Sequence, residues 1–569
     1  MRPIRKVALG PRDVAVERRD GGILHLRSPH ALPEFPARLT DRLEHWARAA
    51  PDRVFVAQRD GGRWRTLTYG QALERARRVG QYLLQENLSA DRPLVVLSGN
   101  DIEHALLHLG AMYVGIPYAP VSPAYSLLST DFGKLKAIFE LLTPGLAFVS
   151  NAQAFRRALD AVVRCEVIDK LEEPRATAAV DEAHARVGPD TIAKFLFTSG
   201  STGAPKAVIN TQRMWCSNQA MIQSMLAFFA DEPPVLVDWA PWHHTAAGNH
   251  DFGLALYNGG SYYIDEGKPL PGAIETTVRN LREVAPTWYF NVPKGFEALL
   301  PYLKADEQLR VNFFSRLKVL WFAGAALPQH AYDEIRELAY RTCGEEIAFL
   351  TGFGATETAP ATLGRVWPAE NVANMGLPPP GAELKLVPMA GRFEMRVKGP
   401  HVTPGYWRAP ELTRQAFDEE GYYRIGDTFS FDAGDPANGL LFAGRIAEDF
   451  KLSTGTWVHV GALRARFVEH FAPLVRDVVI AGEGRGEVGA LIFPAGNAPG
   501  EELRKRLETL PSTGSSNRVT RALVLEEPPS LDAGEMTDKG SINQKAVLAR
   551  RAALVEELYS ASERVLRCR

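Results

Sequence analysis

The stretch Phe195-Leu-Phe-Thr-Ser-Gly-Ser-Thr-Gly-Ala-Pro-Lys206 decides how this chain reads. A short apolar run, Phe195–Phe197, ends in four hydroxyl residues, Thr198, Ser199, Ser201 and Thr202, interleaved with Gly200 and Gly203. Glycines let successive backbone N–H groups turn to one side and the hydroxyls add donors. Lys206 adds a point charge, so the segment is suited to cradling phosphate oxygens. It is not a loop of the Walker type, which needs lysine directly after glycine; here Ala204 and Pro205 intervene. The alternative is a Ser/Gly-rich surface turn, and such turns seldom follow a buried strand directly.

Working outward, apolar runs recur at Pro93–Leu97, Leu146–Val149, Val235–Val237, Leu317–Phe322 and Ile347–Leu350. They alternate with helical patterns: Leu73, Ala76, Val79 and Leu83 recur at helical spacing within Leu67–Leu84, and Pro328–Tyr340 reads as a second helix. That alternation predicts an α/β architecture with buried, parallel-rich sheets. From about residue 380 the texture changes. Leu384–Val387 and Phe393–Lys398 alternate as hairpin strands do, with turns near Met389–Arg392, Gly399–Gly405 and Asp432–Gly439. After Gly444 come more strands and two charged helices. The expected division is an N-terminal body, 1–443, and a smaller α+β C-terminal domain, 444–569. Residues 1–40, rich in Arg and Pro, read as an arm laid over the body.

Composition excludes several classes. Lys and Arg number 65 against 67 Asp and Glu, a formal charge of −2, so nothing electrostatic points to nucleic acid or an anionic membrane as the main partner. Cys165, Cys216, Cys343 and Cys568 are far apart and form no metal-like pattern, as in a reduced, cytoplasmic protein. No run is long and apolar enough for a membrane helix, and the basic N-terminus lacks a signal-peptide core. A homodimer is left open.

The phosphate-binding stretch resembles the signature loop of the adenylate-forming superfamily, which comprises acyl- and aryl-CoA synthetases, luciferases and peptide-synthetase adenylation domains. Further segments match in order. Trp321-Phe-Ala-Gly324-Ala325-Ala326-Leu-Pro328 resembles the strand and turn beside adenine. Thr351-Gly352-Phe353-Gly354-Ala-Thr356-Glu357 resembles the motif in which an aromatic ring stacks on adenine, threonine contacts the α-phosphate and glutamate helps hold Mg²⁺, with Thr202 a second metal-side candidate. Tyr422-Tyr-Arg-Ile-Gly-Asp427 resembles the ribose motif, and Gly444-Arg445-Ile-Ala447-Glu-Asp-Phe-Lys451 the segment joining the two domains. The resemblance implies a large multi-subdomain N-terminal adenylating body and a mobile C-terminal domain. The latter would carry a lysine for adenylation and a CoA-facing loop, Lys451–Gly455. Two positions depart from the pattern. Ala447 stands where the hinge usually has Asp or Lys. In Met536-Thr-Asp-Lys539-Gly540-Ser541-Ile-Asn-Gln-Lys545 the lysine precedes glycine, so Lys539 is the first candidate and Lys545 the second.

The acyl group is addressed by Val237-Asp-Trp239-Ala-Pro241-Trp242-His243-His244-Thr-Ala246-Ala-Gly248-Asn-His250-Asp-Phe-Gly253. In relatives a Pro-x-x-His segment, here Pro241 to His244, borders the carboxylate site. Trp239, Trp242, His243, Ala246 and Gly248 suit a flat acyl pocket with a few polar contacts. A metal site from His243, His244 and His250 fits no zincin or zinc-finger spacing. This segment and the Thr537–Lys545 ending look like those of bacterial feruloyl-CoA synthetases, with Ala246 where an aromatic is common. The resemblance implies a ligase using ATP, Mg²⁺ and coenzyme A to convert an aryl carboxylic acid, ferulate first, into its CoA thioester. Two other readings are transfer of the activated acyl group to a carrier protein or amine, and a non-catalytic nucleotide-binding homologue.

Overall fold

The computed structural model describes residues 2–199, 204–325, 327–496, 498–538 and 540–568, and of Ser199 the backbone only. Among the described residues the strands form six sheets. The first runs in the order Pro205–Thr211, Ile192–Ser199, Tyr118–Pro120, Leu94–Val96, Leu146–Phe148, Glu166–Ile168. Its first pair is antiparallel and the rest parallel. The three short central strands are buried at every residue, as strands covered on both faces must be. A second sheet joins Val235–Asp238, Ser261–Ile264, Val54–Asp60 and Arg63–Thr68. A third joins Trp288–Asn291, Val319–Phe322 and Ala348–Gly354 in parallel, closed by antiparallel Ala361–Arg365.

The helix Tyr69–Gln85 shows why the periodicity was readable. Thr68 accepts from the Gln71 backbone N–H, while the Gln71 side chain accepts from the Thr68 N–H, closing a capping box. Ala72, Ala76, Val79 and Leu83 are fully buried against the helix Ile102–Val114. The crossing is close: a Cβ on Gly110 would stand 2.7 Å from Val79 Cγ1.

The N-terminal arm departs from expectation. Ala15–Arg18 and Leu24–Arg27 form a hairpin whose second strand pairs with Glu383–Met389, adding two strands to an antiparallel six-stranded sheet. The reason is local alternation: Leu24 and Leu26 are buried and join a core with Leu384, Leu386, Met395 and Phe429. That sheet ends at Leu440–Arg445. The chain continues into a small hairpin, Phe450–Lys451 with Trp457–Val458. A last mixed sheet of Val475–Ala481, Val488–Pro494, Val519–Val524 and Val565–Arg567 has its own cores. No described helix is long and apolar enough to cross a membrane.

Candidate functional site

In open α/β sheets ligands bind beyond the carboxyl ends of the strands, and here the ends of three sheets are tied together. Asn100, after Leu94–Val96, donates to the Ala240 carbonyl (2.8 Å) and accepts from the Trp242 N–H (2.9 Å). Trp239 Nε1 donates to Asn291 Oδ1 at the end of Trp288–Asn291 (3.2 Å). Thr198 and Lys206 sit opposite one another in the hairpin Ile192–Ser199/Pro205–Thr211, which brackets the glycine-hydroxyl loop. Gly200, Ser201, Thr202 and Gly203 lie outside the described residues, as do Ala326 and Lys539.

Glu357 is 8% exposed. Its Oε1 accepts from Tyr406 Oη (2.9 Å), which contacts Tyr423 Oη (3.2 Å), and its carbonyl accepts from the Thr403 N–H (2.8 Å). Burial and the Glu357 carboxylate push both phenols well above the usual tyrosine range. Lys206 Nζ lies 5.3 Å over the Tyr406 ring, so the loop's lysine and this acid share one wall. A single hard carboxylate on this wall fits Mg²⁺, whose other ligands would be phosphate oxygens and water. Thr356 is half-buried in the same short turn.

At the adjoining strand ends Gly324 (φ 87°) and Ala325 are exposed. Thr351 is buried and its Oγ1 donates to the Phe322 carbonyl (2.7 Å). Its side chain therefore ties two strands together. Gly352 and Gly354 permit close packing, since a Cβ would come 2.6 Å from Leu363 O and 1.6 Å from Pro360 O respectively. Phe353 packs against Phe429 and Phe442, with ring centroids at 5.0 and 5.9 Å. Asp427 pairs across the sheet with Arg445, whose Nε is 3.7 Å from its Oδ1. Burial raises the Asp427 carboxyl to about 7; Arg445 opposes that, while Glu448 and Glu357 reinforce it.

In the acyl-side segment, Ala246–Asp251 forms one π-helical turn, a geometry frequent at functional sites. A Cβ on Gly248 would meet the Trp242 carbonyl at 2.0 Å, so only glycine fits. The structure places Trp242 in the core, 1% exposed, because its Nε1 donates to Tyr262 Oη (3.1 Å) and its ring packs edge-on against His104 and Phe252. Trp239 and Ala246 are half-buried. His250 stands apart from His243 and His244. Its Nδ1 contacts Asp251 Oδ1 (2.7 Å), its ring stacks near Trp288 and Trp321, and burial lowers it to about 4.

The C-terminal segment reaches this wall. Asp538 Oδ2 lies 3.1 Å from His243 Nε2 and 3.5 Å from His244 Nε2. Burial alone would raise its carboxyl, but the His243 hydrogen bond, the two imidazoles and the Ser122 hydroxyl hold it well below the usual range. The three ligand-type atoms lie within 4.8 Å of one another. Lys545 is exposed in the helix Gln544–Arg550. Lys451 and Gly455 are exposed in the small hairpin, Gly455 at φ 81° and Lys451 Nζ 4.9 Å over Trp457.

Sequence reasoning missed Tyr406, Lys194 and the partnership of Asp538. Lys194 is fully buried, donates to the Gly248 carbonyl (2.9 Å) and stands 3.5 Å over the Trp215 ring. Burial drives its pKa well below the lysine range. A lysine inside the apolar run Ile192–Phe197 was the available signal.

The model of the AMP-binding enzyme family matches residues 43–407, and that of the AMP-binding enzyme C-terminal domain matches 450–563. The chain belongs to the AMP-binding enzyme family. It is 24% identical over 627 aligned positions to a carboxylic acid reductase of Segniliparus rugosus, covering 92% of this chain and 50% of the relative. It is 29% identical over 338 positions to a feruloyl-CoA synthase of Amycolatopsis, covering 57% and 64%. The chain thus spans half to under two thirds of these relatives' lengths. Its fold matches the A-PCP structure of McyG complexed with phenylalanyl-adenylate at a TM-score of 0.73 and 17% identity, over 94% of this chain and 99% of that one.

Proposed function

We propose that this family member is an ATP- and Mg²⁺-dependent, AMP-forming aryl-CoA ligase acting on a hydroxycinnamic acid, ferulate first. The substrate carboxylate attacks the α-phosphorus of ATP, pyrophosphate leaves, and the CoA thiolate then displaces AMP from the acyl-adenylate. The observation that carries the reading is the convergence, at tied strand ends, of the phosphate-loop hairpin, Glu357, Asp427 with Arg445, and the His243–His244 segment. The nucleophile already exists in the substrate, so the protein's work is to position groups and balance charge.

In this reading the backbone and hydroxyls of residues 198–203, with Lys206, hold the departing phosphates. Glu357, with Thr202 the second candidate, would hold Mg²⁺, which would supply positive charge at the phosphates. Gly324, Ala325, Ala326, Gly352, Phe353 and Gly354 border adenine, with Thr351 fixing the strand ends behind them, Thr356 stands near the α-phosphate, and Asp427 and Arg445 take the ribose hydroxyls. His244 borders the carboxylate, with Trp239, His243, Ala246 and Gly248 around the acyl group. Lys539 acts in adenylation. The C-terminal part, 444–569, then turns about the segment around Ala447 and brings Lys451–Gly455 to the thiol. Ferulate is favoured by the likeness to a feruloyl-CoA synthase and by the aromatic acyl-side segment. Transfer to an acceptor other than CoA is the second reading, favoured by the likeness to a carboxylic acid reductase over 92% of the chain.

The test is ferulate with MgATP, with and without CoA, quantifying AMP, pyrophosphate and feruloyl-CoA. Stoichiometric AMP and thioester only with CoA supports the ligase. Pyrophosphate without thioester points to another acceptor. Absence of ATP–pyrophosphate exchange across a panel of aryl and aliphatic acids removes the catalytic reading.

A further inference from the structure

We propose that Asp538 is a positioning residue for the adenylation step: it pins the turn that carries Lys539 to His243 and His244, and this contact has to part before the thioester step. The inference rests on the ligase reading above for its chemistry, but the contact itself stands on geometry.

The turn is internally rigid. The Thr537 N–H donates to the Ser541 carbonyl (2.9 Å), the Gly540 N–H donates to the Thr537 carbonyl (2.9 Å), and Met536 bridges to Ile542. Gly540 takes φ 82°, a left-handed conformation that glycine adopts without strain. Consecutive Cα atoms are only ~3.8 Å apart, so fixing residue 538 limits how far the next residue in the chain can stray.

Among the described residues, contacts at Leu531, Asp532 and Asp538 tie this segment to the body. Leu531 packs on the apolar cluster of Tyr125, Phe132 and Phe195. Asp532 Oδ2 accepts from the Thr130 N–H (2.9 Å) and hydroxyl (2.7 Å). Asp538 meets His243 and His244, with the Ser122 hydroxyl alongside. The last of these is next to residue 539 in sequence, and it differs in kind. The Asp538 side chain is 10% exposed and its histidine partners are 12% and 14% exposed. A carboxylate so enclosed is tolerated because imidazole and hydroxyl donors replace water. The partners also lie on the wall assigned to the acyl carboxylate.

The experiment compares the full-length protein with Asp538→Asn and Asp538→Ala in separate half-reactions. Misplacing a catalytic group by about 1 Å can cost ~10²-fold. Accordingly Asp538→Ala should slow ATP–pyrophosphate exchange with ferulate by roughly 10- to 100-fold, Asn less. CoA thioester formation from supplied feruloyl-adenylate should stay within about twofold or rise. Hydrogen exchange read by mass spectrometry provides a readout that needs no turnover: the variants should lose protection in 531–541 and in 241–250. Unchanged exchange with normal adenylation overturns the proposal, as does an equal loss in both half-reactions. If the wild type adenylates no acid but the variants still release both segments, the ligase reading fails and the anchor stands.

Discussion

Replacing Asp427 by Asn should favour the folded protein more at pH 8 than at pH 5. The carboxyl is raised from the ordinary 3.8 to about 7, chiefly by burial, with Arg445 opposing and Glu448 and Glu357 adding to the rise. Its side chain is 11% exposed, whereas Arg445 is 67% exposed, so the arginine's charge is largely screened and burial dominates. Between the unfolded and folded values the native state holds a proton that the unfolded chain has released, so stability falls as pH rises through that window. Three units at ~1.4 kcal/mol each set a ceiling of about 4 kcal/mol. Water entry and relaxation lower this, and from pH 5 to 8 a differential of about 1–2 kcal/mol is expected. Asn cannot ionise and escapes the penalty. The assay is the difference in melting temperature between variant and wild type at the two pH values, in which all other titrating groups cancel. The gap should widen in the variant's favour by a few degrees at pH 8. An equal gap at both values, or a gap that moves against the variant at pH 8, would refute the account of Asp427.

The remaining predictions concern chemistry. Lys539→Ala should slow adenylate formation by about 10²–10³-fold and leave thioester formation from supplied acyl-adenylate nearly normal; if Lys545→Ala gives that pattern, the lysine assignment is wrong. Glu357→Ala should weaken Mg²⁺-dependent adenylation without unfolding the protein, and an unchanged Mg²⁺ titration counts against its role. Gly248→Ala puts a methyl 2.0 Å from the Trp242 carbonyl, so about 1–3 kcal/mol of strain should appear as a lower melting temperature and a raised KM for the acid. Wild-type values for both would show that the π-helical turn yields at no cost.

Much of the fold was legible because periodicity and turn chemistry are local. The strands at Leu94–Val96, Leu146–Phe148 and Val235–Asp238 and the helix Tyr69–Gln85 follow from apolar runs and apolar spacing. The arm at 15–27 was misread because a hairpin of two four-residue strands, pairing with a strand more than 350 positions away, leaves no local mark beyond two alternating leucines. Within the site, residue types and their order singled out the glycine-hydroxyl loop, Glu357, Asp427 and Arg445 as candidates.

The sequence by itself therefore determined the family, the strand-and-helix grammar and the candidates for each role, since these rest on short-range pattern. Tertiary structure alone decided which candidates share a wall. It placed Trp242 in the core, separated His250 from His243 and His244, put Tyr406 on Glu357, and brought Asp538 to two histidines nearly 300 positions earlier. The physical reason is burial. Charges, hydrogen bonds and pKa shifts depend on what the folded chain excludes from water, and neighbours remote in sequence set that exclusion.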